Sequence, residues 1–573
     1  MSGVSVEDIQ EEFADLDLDI TDGDVLLKIK ELCDFYNIDA NKISCEYFSY
    51  NTKSKLHTGK PPTLDSLVSF ESEKLKHLRG PRRPLDPIEG VENLPDCPEL
   101  GTPTRLTAAG AGKRNITPDG QINKRFVNAI GSPSLTPQSS PSLNSSQVTL
   151  KYSDRSNKGE TVLAHSKDAP GDWTPSNDPA EISLKALTLT SPYRFMYERL
   201  RERAAVLDET ICRLGDIITE KYDLGEPMDT RLTQVEPQVA LGRICCDSEG
   251  HLNSNSVVLQ GSMDATGGHS IHLDLSKLDS YSLFPGQIVG VECTNPNGSK
   301  LLVSKLYSEL PTPSPVPVEK DQCTEIYTAC GPYTLNDSDN YQPLLDLLDI
   351  VQETRPHLLI LVGPFVDSRN KVIDAHTDSY HQIFETMLKQ IYSALEETRT
   401  EVLLVPSQRD LHENFVYPQP PYSLGEPSPW GSKIRSVSDP GVFSVNGVNI
   451  GVTSSDILFH LGREEISFPP RAGDRLSRLV SHLLSQRSYY PLYPPSLEQN
   501  IDFEHQEKHG LLQEPPHLLL LPSDLVYFIR DVEGCTVLNP GRITKGSAPG
   551  TYSKLLVQVQ QGKLSFTAEI VRI

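Results

Sequence analysis

Positive charge is scarce in this chain, and so are the marks of a membrane protein, a zinc module or a secreted scaffold. Across 573 residues, 77 Asp and Glu outweigh 53 Lys and Arg, for a net charge of -24. Broad binding to a nucleic-acid backbone needs a basic surface that releases counterions, so the chain as a whole is unsuited to it, although a local basic groove remains open. No 18 apolar residues follow one another, so no membrane-spanning helix is expected. The opening Met1-Ser-Gly-Val-Ser-Val-Glu-Asp8 has neither the basic nor the apolar stretch of a secretory signal. Ten cysteines (Cys33, Cys45, Cys97, Cys212, Cys245, Cys246, Cys293, Cys323, Cys330 and Cys535) are scattered without a Cys-x-x-Cys. They read as reduced, mostly core thiols of an intracellular protein and not as metal ligands.

What is present divides the chain into four parts, which suits a length too great for one core. Residues 1–78 read as a helical bundle. Ser5 and Asp8 form a capping box before Ile9, Phe13 and Leu16. Asp24 precedes a helix to Tyr36 with Ile29, Leu32, Cys33 and Tyr36 on one face. Ile43–Phe48 adds a short helix, and Thr63 caps another carrying Leu64, Leu67, Val68 and Leu75. Its acidic side chains (Glu7, Asp8, Glu11, Glu12, Asp15, Asp17, Asp19) form a face that is either solvated or a docking surface.

Residues 79–170 are dominated by Pro, Ser, Thr, Gly and Asn and show no period, which predicts a disordered linker. Thr102, Thr117, Ser132, Thr136 and Ser140 each precede a proline and are candidate phosphorylation sites for proline-directed kinases. Lys113-Arg114 and Lys124-Arg125 are a candidate bipartite nuclear signal.

In residues 171–310, Ser191-Pro192 is expected to open an amphipathic helix whose face is traced by Phe195, Leu200, Leu207, Ile211, Leu214 and Ile218. The alternating runs Val239–Cys245, Ser270–Leu275 and Leu283–Glu292, with a hairpin turn at Gly267-Gly268, suggest a small closed barrel of the OB-fold kind. It offers few aromatics for stacking bases, chiefly Tyr281 and Phe284. Pro311–Pro317 reads as a stiff linker.

Residues 311–573 carry an α/β pattern. Glu325–Cys330, the helix from Pro343 to Thr354 and the wholly apolar strand Leu358–Val362 make a β-α-β unit. A helix over 379–397, the strand Glu401–Val405 and a long Pro-rich loop to Asp439 come next. A hairpin over Val442–Val452, turned at Asn446-Gly447, precedes a helix over 473–486. Strands His517–Leu521, Thr536–Leu538, Tyr552–Val559 and Leu564–Val571 complete a two-sheet α/β sandwich.

An α/β sheet presents its site at the carboxyl ends of its strands. There the sequence reads Ala329-Cys-Gly-Pro-Tyr-Thr334, Leu361-Val-Gly-Pro-Phe-Val-Asp367, Val405-Pro-Ser-Gln-Arg-Asp410, Pro522-Ser-Asp524 and Leu538-Asn-Pro-Gly-Arg542. The pattern resembles calcineurin-like metallophosphoesterases, which place Asp-x-His, Gly-Asp-x-x-Asp, Gly-Asn-His and Gly-His-x-His at such ends to hold two cations. Here Pro364 stands at the bridging position, Gln408 and Arg409 replace Asn-His, and only Asp367, Asp410 and Asp524 survive nearby. Neither a catalytic residue nor a metal or other cofactor is therefore expected. The rival is an active enzyme with unusual ligands drawn from Asp367, Asp410, Asp456 and Asp524. His505 and His509, four apart but lacking a Glu-x-x spacing between them, read as a solvated helix end or loop.

Helical module, phosphorylatable linker, OB barrel and degenerate phosphoesterase in one chain resemble the B subunits of eukaryotic replicative DNA polymerases, most closely the branch serving polymerase α–primase. The resemblance implies a nuclear, non-catalytic scaffold. It would bind the C-terminal domain of the polymerase catalytic subunit, hold primase within the complex for RNA–DNA primer synthesis, and recruit replication factors through the N-terminal module. Contact with DNA would be indirect or weak. The B subunit of another replicative polymerase is the alternative.

Overall fold

The computed structural model describes residues 6–14, 20, 22–36, 40–44, 47, 62–63, 66–67, 70, 152–167, 182–248, 250–310, 317–318, 321–425, 428–470 and 473–573. They belong to two compact units, Met1–Ser146 and Gln147–Ile573. The five candidate phosphorylation sites, the candidate nuclear signal, Ser5, Leu16, Leu75 and the stretch 311–316 lie outside the described residues.

In the first unit the helices Val6–Ala14 and Gly23–Tyr36 bury Ile9, Phe13, Ile29, Leu32 and Cys33 in one cluster. Tyr47 packs at 5.9 Å from Phe13 and 5.2 Å from Phe70, and its hydroxyl pairs with Ser66 Oγ at 2.6 Å. Asp24 lies inside its helix, because the Asp22 carbonyl already accepts the Leu26 N–H. Glu12 is not on a solvated face: it is buried and accepts a hydrogen bond from Asn41.

The second unit begins where a linker was expected. The strand Thr161–Lys167 pairs antiparallel with Lys563–Arg572, and Val162 and Leu163 pack on the core. Just before it, the Tyr152 hydroxyl donates to Asp346 at 2.6 Å while Arg155 stacks 4.0 Å over the Tyr152 ring. A short apolar run inside a Ser/Thr-rich stretch vanishes when composition is averaged, which is why the boundary at 170 fell too late.

Two sheets form the sandwich. The seven-stranded sheet runs Thr161–Lys167, Lys563–Arg572, Thr551–Gln560, Gln322–Cys330, Leu358–Val362, Glu401–Val405, Ile434–Ser436. The six-stranded sheet runs Phe528–Val532, Cys535–Asn539, Leu518–Leu520, Val448–Val452, Gly441–Val445, Leu184–Ala186. Side chains alternate across each strand. Leu358, Ile360 and Val362 face the second sheet with Phe443, Ile450 and Leu518. Leu359 and Leu361 face the helices Gln342–Thr354 and Tyr380–Leu395 on the other side. The second sheet's outer face is covered by Ile457–Glu464 and Arg475–Ser485. The hairpin turns at Asn446 (φ 52) and Gly447 (φ 90), left-handed at both positions as an Asn-Gly turn allows.

The barrel is closed in the order Gln234–Cys246, Val257–Gln260, Ser270–Asp274, Lys300–Tyr307, Ile288–Asn295. Its helix covers Leu200–Tyr222, burying Ile211, Leu214 and Ile218. It does not start at Ser191, because the residues before it are held by partners in the sandwich, with Met196 in the left-handed region (φ 58). Met196 N–H donates to Asp502, and Glu198 accepts from Phe503 N–H and Glu504 N–H. Gly267-Gly268 is not a hairpin turn either; Gly267 ends a one-turn helix, Met263–Thr266, capped by Ser262.

Barrel and sandwich are locked together. Tyr281–Leu283 pairs with Ile466–Phe468. The Gln486 amide both accepts the Ile288 N–H at 2.8 Å and donates to the Ile288 carbonyl at 3.1 Å. Glu465 accepts from Ser282, Arg478 and His482. Burial works against its charge, but the hydrogen bonds from His482 and Arg478 hold Glu465 well below the usual carboxylate range. Phe284 is buried in the sandwich core, 4.9 Å from the His482 ring, so it offers no face to a base.

Candidate functional site

The strands Gln322–Cys330, Leu358–Val362 and Glu401–Val405 are parallel, so their carboxyl ends lie side by side. At the first two ends Gly331 and Gly363 let the backbone turn into Pro332 and Pro364. A Cβ on Gly331 would sit 2.1 Å from the Pro364 carbonyl oxygen, so the close approach of these two loops demands glycine. The Tyr333 hydroxyl reaches the carbonyls of Ala329 and Val362, and its ring stacks 5.1 Å from Phe365. Pro364 presents no ligand atom to this space.

Asp410, fully buried, ties the second and third ends together. Its Oδ1 accepts from the N–H groups of Phe365 and Val366, and its Oδ2 accepts from Ser407 N–H at 3.2 Å and the Tyr422 hydroxyl at 2.5 Å. Burial pushes its carboxyl up to about 6, although Tyr422 and the two backbone donors favour the charge. Asp367, 2% exposed, is clasped by Arg409, with Nε 3.1 Å from Oδ1 and Nη2 2.6 Å from Oδ2. This is a two-point guanidinium–carboxylate pair. Next to it Arg369 pairs with Glu498 at 2.8 Å. Gln408 points elsewhere and accepts the Asn500 N–H.

The second sheet supplies a matching knot. Asp524 takes Arg542 Nε at 3.0 Å, and Arg542 Nη2 lies 3.8 Å from Asp456. Asp456 also accepts from Ser523 Oγ, Asp524 N–H and Phe459 N–H, the last as the cap of the helix Ile457–Glu464. Burial, then the charge of Asp524, pushes Asp456 up; burial would lower Arg542, but the two aspartates outweigh it. Asn539 fixes this loop by accepting the N–H groups of Ser523 and Gly541, both at 3.0 Å. Arg542 is thus the buried counterion of a carboxylate pair. Asp439, at the edge of the same face, accepts from Thr453 Oγ1 and Ser454 N–H, and burial raises it to about 6.

Every surviving carboxylate is therefore satisfied by guanidinium, hydroxyl or backbone N–H. Among the described residues no group of three or more His, Cys, Asp and Glu is arranged to hold a metal ion. His505 is not a solvated end: it lies in the helix Phe503–His509, stacks 3.7 Å from Tyr193 and pairs with Asp502. Tyr422, Arg369 and Arg542 were invisible to spacing, since each comes from a loop without period. The one available signal was an arginine directly after Asn-Pro-Gly at a strand end.

Comparison with known proteins agrees in all parts of the chain. Residues 326–530 match the family of DNA polymerase alpha/epsilon B subunits, 204–309 the OB domain of the DNA polymerase alpha B subunit, and 7–77 the N-terminal family of that same B subunit. The DNA polymerase alpha B subunit of Rattus norvegicus is 36% identical over 608 residues, covering 100% of both chains. That of Drosophila melanogaster is 27% identical over 598 residues and 96% of both, and that of Schizosaccharomyces pombe 35% identical over 66% of this chain and 69% of its own. A crystal structure of Vps29 from Entamoeba histolytica, complexed with zinc, matches 44% of this chain and 98% of its own at 11% identity, but with a TM-score of 0.21 it carries no argument.

Proposed function

This chain belongs to the family of DNA polymerase alpha B subunits, and from that premise we propose that it is a non-catalytic scaffold of polymerase α–primase. The observation that carries the reading is the Arg409–Asp367 pair. A two-cation phosphoesterase needs uncommitted carboxylates and imidazoles converging on its ions. Here a fixed guanidinium stands against one of the carboxylates, and Asp410, Asp456 and Asp524 are bound elsewhere. The sandwich reads as a phosphoesterase-like fold whose chemistry has been replaced by internal ion pairs.

In this reading the barrel and sandwich act as one surface for the C-terminal domain of the catalytic subunit, holding polymerase and primase together for RNA–DNA primer synthesis in the nucleus. Rigidity supports it: a paired strand, the Gln486 bridge and the buried Phe284 fix the two domains in one arrangement. The N-terminal unit serves as a docking module for replication factors, on a segment whose Ser/Thr-Pro sites are phosphorylated. The interaction with DNA is indirect, since the aromatics that could stack on bases serve the joint.

The test is a tagged pull-down from nuclear extract of proliferating cells, with the bound fraction assayed for primer synthesis and extension. Recovery of a polymerase catalytic subunit with both primase subunits is expected. A polymerase without primase would move the assignment to the B subunit of another replicative polymerase, and manganese-dependent phosphoesterase activity lost in Asp367→Ala would replace the scaffold by an enzyme.

A further inference from the structure

Between the sandwich's edge strand Leu184–Ala186 and the barrel's helix Leu200–Tyr222 the chain runs as a strap that belongs to no helix or strand. It is fastened at both ends. The Leu187 N–H donates to the Val442 carbonyl at 2.8 Å, and the Met196 N–H donates to Asp502 at 2.7 Å. Two side chains hold it in between. Leu189 is buried, and Tyr193 stacks 3.7 Å from His505 while its hydroxyl donates to the Pro418 carbonyl. Thr190, Ser191 and Pro192 are exposed, and from Thr190 to Arg194 no backbone N–H or carbonyl is hydrogen-bonded among the described residues. The Ser191 hydroxyl has no partner among them either.

This bare stretch reads Ser191-Pro-Tyr-Arg194. A segment whose backbone groups are not used by its own fold can lie along another protein's cleft and pair there. Seating it in a kinase requires release of Tyr193, a single hydrogen bond and one ring contact, and leaves both domains folded. Proline directly after the serine has no N–H, so it suits a cleft that offers no acceptor at that point. Arg194, three residues on, is exposed and makes no ion pair among the described residues; its guanidinium lies 6.0 Å from the Tyr197 ring. That leaves a fixed positive charge for an acidic group on the kinase. The other described serine followed by proline, Ser428, shows what is missing elsewhere. It is half-buried, its Oγ accepts the Trp430 N–H at 3.3 Å, and its carbonyl accepts the Gly431 N–H at 3.2 Å. Three residues on from it stands that glycine and no cation. Thr102-Pro-Thr-Arg105 shares the pattern of Ser191 but belongs to the other compact unit.

We propose that Ser191 is a phosphorylation site for a proline-directed kinase, set in the strap between sandwich and barrel. Ser191 Oγ bonds to the γ-phosphorus of ATP, the bond from that phosphorus to the β,γ-bridging oxygen breaks, ADP leaves, and the hydroxyl proton passes to the kinase's catalytic aspartate. The product places close to two negative charges three residues before Arg194. The experiment incubates the folded full chain with a cyclin-dependent kinase and ATP and reads each serine by mass spectrometry of its peptides. A synthetic peptide of residues 185–199 is treated in parallel. Ser191 should take up phosphate in both, and Ser428 should not. Pro192→Ala should abolish the modification, and Arg194→Ala should slow it roughly two- to fivefold, the effect of one exposed ion pair. Both substituted side chains are exposed, and an unchanged melting temperature checks that the variants fold. Phosphate on the peptide but not on the folded chain would show the strap to be closed to the kinase, and phosphate on neither would show the motif to be unread. Either result, or an equal rate in Pro192→Ala, would overturn the proposal.

Discussion

Replacing Arg409 with methionine tests the strand-end reading most directly. Asp367 is 2% exposed, and without the guanidinium its remaining donor among the described residues is the Arg369 N–H at 3.2 Å. A buried carboxylate stripped of its counterion is the costly half of a broken ion pair, about 3–5 kcal/mol. Methionine fills much of the arginine stem's volume, so lost packing contributes little and the charge dominates. For a domain of this size each kcal/mol moves the melting temperature by roughly 2–4 °C, giving a fall of roughly 6–20 °C. The fluorescence of Trp430, whose ring lies 5.6 Å from Tyr392 in this domain, offers the readout. Combining Asp367→Asn with Arg409→Met removes both charges and should recover at least half of the loss, since neutral replacement of a buried pair is often nearly free. Manganese should not rescue the single variant, because Asp410 stays engaged by Phe365, Val366, Ser407 and Tyr422. A loss below about 1 kcal/mol, or a double variant no better than the single one, would refute the view that Arg409 replaces a cation at Asp367.

Two further tests address the core and the joint. Burial holds the Asp439 carboxyl at about 6, above its unfolded value near 3.9. The folded state therefore favours the protonated acid, and stability from this group is present below about pH 4 and lost as pH rises through 6, up to about 3 kcal/mol. Asp439→Asn should flatten the fall in melting temperature between pH 5 and 7.5, though not abolish it, since Asp410 titrates in the same direction; an unchanged slope would contradict the assignment. Gln486→Ala leaves the N–H and carbonyl of Ile288 without their partner and should cost about 1–3 kcal/mol. Faster protease cleavage within the barrel would report this, and an unchanged rate would show that the joint does not depend on the bridge.

The sandwich was legible because its strands are either wholly apolar, like Leu358–Val362, or punctuated by strong turns such as Asn446-Gly447. Pro364, which cannot supply a ligand atom, was legible too. The partners of the neighbouring carboxylates were not. The partners of Asp410 and Asp456 come from Tyr422 and Arg542, 12 residues from Asp410 in one case and 86 from Asp456 in the other, and no local pattern joins them. The late start of the barrel's helix at Leu200 was also hidden, since Met196 and Glu198 are held by Asp502 and by the N–H groups of Phe503 and Glu504, some 300 residues away. Composition, averaged over the Ser-rich stretch, concealed the strand Thr161–Lys167.

That strand sets a schedule for the molecule's birth. Thr161–Lys167 is synthesised before the barrel, yet its partner Lys563–Arg572 follows every other described strand of the sandwich, and Ile573 beside it is fully buried. The barrel's own strands all lie between residues 234 and 307, so it can close while the ribosome is still translating. The sandwich cannot, and its first strand lacks its neighbour until Lys563–Arg572 has been made. Loss of Lys563–Arg572 would therefore be no small truncation. It would strip Thr161–Lys167 and Thr551–Gln560 of a shared neighbour and expose two strand edges to aggregation.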